Sequence, residues 1–157
     1  MNERVAIAPV RKTVHVKVPI AHAFEVFTSG LTLWWPRDHG IGKKPIAKVL
    51  MEPRLGGRWL ELAEDGTETS AATIIVWEPP HRFVMLWQIS AQWTPDAAMK
   101  SEVDVRFTAD GPEATDVELL HHKFETMGAE AGASLREDVG RGWPVFMERF
   151  AKEAERS

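Results

Sequence analysis

The chain of 157 residues is 44% hydrophobic and 27% charged, with a formal net charge of −4 and no cysteine. One core of ordinary domain size is expected over residues 1–157 (most of it within 11–154), with disulfides and thiol catalysis excluded and a cytoplasmic location favoured. Neither membrane nor nucleic acid is expected as a partner: no apolar run approaches the roughly 18 residues of a membrane helix, Met1 to Val5 opens no secretory leader, and Arg4, Arg11, Lys12, Lys43 and Lys44 are scattered rather than gathered into a stripe.

Along the chain, Arg11 to Val18 alternates Thr13, His15 and Lys17 with Val14, Val16 and Val18, the two-residue period of a half-buried strand. Pro19 ends it and suits a helix start. Ala21, Phe24, Val26 and Phe27 carry that helix to Ser29, with Gly30 as its expected C-cap. A second short helix or turn spans Leu31 to Trp35 and stops at Pro36. Six strands then follow as a meander, over 45–52, 58–64, 69–77, 82–89, 101–108 and 114–124. Asp65-Gly66, Glu78-Pro79-Pro80-His81 and Asp110-Gly111-Pro112 are the turn signals among them. Gly56-Gly57 reads as a bulge or tight turn, because no strand-to-helix transition makes it a phosphate loop. Strand phase puts Phe83, Met85 and Trp87 on one face, likewise Val117, Leu119 and His121, and sets Trp77 on the face opposite Ile74 and Val76.

The period changes at the C-terminus. Leu135, Val139, Trp143, Phe146, Met147 and Phe150 recur three to four apart, which predicts a long amphipathic helix. Ser134 with Glu137 forms a candidate capping box. Gly142 and Pro144 predict a kink, or a helix that begins only at Pro144. The element order gives an α+β fold in which a curved antiparallel sheet wraps the one helix long enough to cover it, leaving a space between them.

Several pieces in that order resemble a known family. Ala23-Phe24-Glu25-Val26-Phe27 is followed by Trp34-Trp35-Pro36, then by Met51-Glu52-Pro53-Arg54-Leu55-Gly56-Gly57-Arg58-Trp59 and Val76-Trp77-Glu78-Pro79-Pro80-His81-Arg82-Phe83. Glu118-Leu119-Leu120-His121-His122 and Gly142-Trp143 complete the set. Together they resemble single-domain relatives of the C-terminal domain of the Hsp90 ATPase activator Aha1, within the helix-grip superfamily of START and birch-pollen-allergen-like proteins. The resemblance implies the helix-grip fold and an apolar ligand in its cavity. It also implies two alternatives: a co-chaperone-like or stress-related protein-interaction module, and a hydrolase or cyclase.

Seven tryptophans and no tyrosine bear on the choice. Indole is a large flat apolar body with one donor, suited to lining a concave site. The expected ligand-cavity residues are Trp34, Trp35, Trp59, Met85, Trp87, Trp93, Val105, His121 and Phe146. Adjacent Trp34 and Trp35 cannot point the same way, so one of them belongs to the core. Trp93, in a loop, is a lid or a partner contact, and Trp143 packs the helix on the sheet. His121 and His122 face opposite sides of a strand and cannot share a metal. His121 points inward, as a core histidine or a polar anchor for a ligand. Arg37-Asp38-His39 offers polar groups at the cavity mouth, and an inward Glu52 or Glu61 would hint at a polar ligand or at catalysis. No nucleophile–base pairing, metal set or cofactor motif stands out. The expected function is therefore noncatalytic binding of a small, largely apolar ligand, by a monomer or a homodimer.

Overall fold

The computed structural model describes residues 7–36, 44–90 and 92–157, with the backbone alone for residue 71. Strand β1 (Val10–Val16) leads into helices α1 (Ile20–Thr28) and α2 (Leu31–Trp34). Six strands follow: β2 (Ile46–Met51), β3 (Arg58–Ala63), β4 (Glu68–Glu78), β5 (Arg82–Trp87), β6 (Ser101–Ala109) and β7 (Thr115–His122). A 3₁₀ turn (Phe124–Met127) then precedes helix α3 (Ala129–Arg156). The strands form one seven-stranded sheet in the order β1-β7-β6-β5-β4-β3-β2, and every neighbouring pair is antiparallel. The first strand thus closes beside the last, and the sheet curls around α3 as a helix-grip fold.

Alternation builds the inner face. Val103, Val105 and Phe107 on β6 are buried beside Val117, Leu119 and His121 on β7, while Arg106 and Glu118 pair outside across the same ladder. Helix α3 answers with Leu135, Val139, Trp143, Met147 and Phe150, all buried. Helices α1 and α2 close one end through Phe24, Phe27 and Trp34. Phe27 packs at 4.8 Å on Phe150, and Trp34 at 5.6 Å on the same ring.

The structure corrects several local expectations. Trp77 lies on the inner face: a bulge between Ile74 and Val76 shifts the register, so Trp77 opposes Phe83 and packs at 5.1 Å on Phe24. One extra residue reverses the side-chain phase, which plain alternation does not register. On α1, Ala21 is exposed and Ala23 is buried. Gly30 is the N-cap of α2, and Ser29 caps α1. Helix α3 starts at neither Ser134 nor Pro144. Its N-cap is Gly128, at φ 89°, a conformation that L side chains rarely adopt. Pro144 is tolerated because it sits on the solvent side, where water can take the Gly140 carbonyl that the missing N–H leaves open. Arg4, Arg37-Asp38-His39 and Lys43 lie outside the described residues. Among the described residues, no helix is long and apolar enough to cross a membrane.

Gly132 holds the start of α3 against the 3₁₀ turn. A Cβ there would lie 2.2 Å from the Phe124 carbonyl oxygen and 2.8 Å from Ile7 Cδ1. Backbone cannot yield as a flexible side chain does, so Gly132→Ala is expected to destabilise the fold by about 2 kcal/mol despite alanine's better helix propensity. Urea denaturation of the variant checks this, and unchanged stability would refute the close approach.

Candidate functional site

Midway along α3, the helix and the β5–β6 connection enclose a cavity of about 480 Å³. Its walls are Trp35 after α2, Trp87 at the end of β5, Trp93 in the connection, and Val139, Gly142, Trp143, Val145 and Phe146 of α3. Asp138 and Arg141 supply the polar rim, joined by an ion pair of 2.6 Å. Trp35 sits 4.5 Å from Phe146 and 6.1 Å from Trp143, ring centre to ring centre, and Trp87 sits 5.8 Å from Trp143. Edge-to-face and tilted arrangements of this kind make a continuous aromatic wall.

Each of these side chains has a local reason for its place. Trp35 follows the last turn of α2, its backbone N–H bonded to the Leu31 carbonyl at 3.0 Å and its backbone extended, with its ring tilted against Trp34 at 5.8 Å. Trp93 has φ 60°, a left-handed value rare for a bulky residue. A turn built on Ser90 holds it there. The Ser90 N–H donates to the Thr94 carbonyl, the Trp93 N–H donates to the Ser90 carbonyl, and the two hydroxyls of Ser90 and Thr94 bond at 2.9 Å. The indole stands over the cavity, 39% exposed. Gly142 contributes an opening: among the described residues, a Cβ there would meet nothing within 4 Å.

The expected site residues separate into two groups. Trp35, Trp87, Trp93 and Phe146 line the cavity. Trp34, Trp59, Met85, Val105 and His121 do not; all five are buried in the core. Trp34 donates its N–H to the Val26 carbonyl at 2.9 Å and packs under α1. Trp59 stands directly behind the wall, 5.2 Å from Trp35 and 5.9 Å from Trp87. Glu52 does not point inward: it forms a two-pronged pair with Arg58 at 3.1 and 3.2 Å, and that bonding holds its carboxyl well below the usual range. Glu61 is buried on the inner face in phase with Trp59, outside the cavity wall, and makes a polar interaction of its own.

His121 is settled by hydrogen-bond logic. An indole N–H only donates, so the 3.1 Å bond from Trp143 Nε1 makes His121 Nδ1 an acceptor. The proton of the neutral ring is then on Nε2, which donates to Ser101 Oγ at 2.9 Å, and the serine hydroxyl donates onward to the Trp87 carbonyl at 3.3 Å. Burial, with the neighbouring His122 as a lesser cause, pushes the His121 pKa down to about 3. A neutral, fully bonded and sealed imidazole transfers no protons to a ligand. It positions Trp143.

Sequence reasoning missed Val139, Gly142, Trp143 and Val145 as walls and Asp138 and Arg141 as rim. The signal available was helical phase: Val139, Trp143 and Phe146 repeat at the spacing of one helix face.

The comparisons with known proteins agree with this architecture. The family described as activator of Hsp90 ATPase homolog 1-like protein matches residues 17–155. The chain belongs to that family. Among solved structures, the anthrahydroquino-gamma-pyrone synthase Txn09 is 40% identical, with 94% of this chain and 97% of that one covered and a TM-score of 0.65. The self-sacrificing resistance protein CalC from Micromonospora echinospora is 28% identical over 94% of each chain, with a TM-score of 0.70. The Aha1 dimer from Colwellia psychrerythraea, at 13% identity and a TM-score of 0.62, shares the fold. No curated protein sequence matches the chain.

Proposed function

We propose that this protein binds a flat, largely aromatic small molecule of polyketide type in the cavity between Trp87, Trp143 and Phe146. The observation that carries the reading is the cavity wall: four tryptophans and a phenylalanine around about 480 Å³, within the range of roughly 300 to 1,000 Å³ typical of small-molecule sites. Planar rings gain from stacking on such walls beyond their buried area. The likeness to Txn09 and CalC, one a synthase and the other a resistance protein, supports a ligand of natural-product kind.

A ring-closing reaction on the bound molecule is the second reading, favoured by the 40% identity to a synthase. The polar side chains of the wall that such a reaction could use are Asp138 and Arg141. The co-chaperone-like protein-interaction alternative remains compatible with the family, and the cavity favours the small-molecule reading.

Isothermal titration with a panel of soluble tricyclic and tetracyclic aromatics tests the proposal. Micromolar, one-to-one binding to at least one planar compound is expected, with none to branched aliphatic controls. Trp93→Ala, which removes the covering indole, is expected to weaken that binding about tenfold, mainly through faster release. A panel without a single binder would sink the reading.

A further inference from the structure

Two of the buried indoles have satisfied N–H groups: Trp34 bonds the Val26 carbonyl and Trp143 bonds His121. Three others do not. Among the described residues, Nε1 of Trp35, of Trp59 and of Trp87 is buried with no hydrogen-bond partner. The three are neighbours in a row, with ring centres 5.2 Å apart from Trp35 to Trp59 and 5.9 Å apart from Trp59 to Trp87. The outer two are walls of the cavity. Nearly all buried polar groups in folded proteins are paired, and an orphaned one calls for an explanation. Here two orphans belong to walls of one cavity and the third stands directly behind them, in a core whose other buried indoles are satisfied.

An indole N–H donates and never accepts, so the complementary group is an acceptor oxygen. A hydrocarbon supplies none, and an ammonium group supplies only further donors. We propose that the ligand of this cavity carries at least two carbonyl-type oxygens, as quinones, aryl ketones and pyrones do, and that the Trp35 and Trp87 N–H groups bond them while Trp59 serves as a reserve donor behind the wall. The inference rests on the ligand-binding reading above and adds what the ligand must present. None of the three nitrogens reaches solvent in the unliganded protein. The bonds therefore form as the rings turn to admit the ligand, and apolar contacts hold the unliganded wall until then.

Anthraquinone sulfonate and anthracene sulfonate make a matched pair of probes, alike in ring plan and solubilising charge and different in two carbonyl oxygens. Titration of the unaltered protein with each is expected to show the quinone binding at least tenfold tighter, the worth of two modest hydrogen bonds. The indole N–H resonances of Trp35 and Trp87 should move downfield with the quinone alone. Trp35→Phe and Trp87→Phe each keep a ring and delete a donor; each is expected to weaken quinone binding about threefold to tenfold and leave anthracene binding unchanged. Equal affinity for the two probes would overturn the donor assignment and leave the cavity reading intact. Failure of both probes to bind would overturn both. The comparison of probes on unaltered protein decides the matter even where a variant folds poorly.

Discussion

Acidification from pH 7 to pH 4 is expected to cost the fold about 3 kcal/mol through His121 alone. The unfolded chain takes up a proton on this histidine near its ordinary value of 6.5, and the folded chain refuses it until about pH 3. Between those values the unfolded state binds more protons than the native one, so stability rises with pH across the window and falls as pH drops through it. The stabilisation is fully present above 6.5. Carboxylates held low in the fold, Glu52, Asp65 and Asp104, act in the same direction, but their contributions are lost only as pH falls below their ordinary values near 4. The stretch from pH 6.5 to pH 4.5 therefore separates His121 from these carboxylates.

His121→Leu separates cause from coincidence. At pH 7 it is expected to cost about 2 kcal/mol, because it strands the Trp143 N–H without an acceptor. It also removes the titrating group, so the slope between pH 6.5 and pH 4.5 should flatten and the two stability curves should meet near pH 5. Urea denaturation at a series of pH values reads both effects. A leucine variant that keeps the wild-type slope would assign the acid sensitivity elsewhere.

Gly142→Leu is expected to move stability and binding in opposite directions. Leucine replaces glycine in a helix interior, which favours the helix by about 0.8 kcal/mol, and among the described residues a Cβ at this position meets nothing within 4 Å. The rest of the side chain enters the cavity between Trp143 and Phe146, and affinity for a planar ligand should fall about a hundredfold, since a filled site cannot hold it. Gly140→Ala is the control. It lies on the same helix, its Cβ would make ordinary contacts with Arg136 at 3.6 Å and Val10 at 3.7 Å, and it is outside the cavity wall. That variant should gain similar stability with unaltered binding. A Gly142→Leu protein that binds as well as wild type would remove the cavity as the site.

The architecture was readable from the chain because two periods carry it. Alternation through Val103-Val105-Phe107 and Val117-Leu119-His121 marks one buried face, and the three-to-four spacing from Leu135 to Phe150 marks one covering helix. Burial of apolar surface depends on those spacings alone, so they survive without knowledge of neighbours. Trp35, Trp87, Trp93 and Phe146 were legible as candidate walls on similar grounds: size, phase and loop position.

What remained hidden depended on single residues or on partners distant in sequence. The bulge between Ile74 and Val76 turns Trp77 inward by one added residue, and strand pairing decides it. Helix α3 is N-capped by Gly128, and Gly132 in its first turn lies close against the Phe124 carbonyl, a contact no local cap signal encodes. Composition alone announced that this protein would have an aromatic interior, and periodicity announced a sheet around a helix. Only the tertiary structure decided which indoles are satisfied and which are not. A hydrogen bond such as that from Trp143 to His121 joins atoms 22 residues apart, and its directionality makes it a property of the assembled core rather than of any segment.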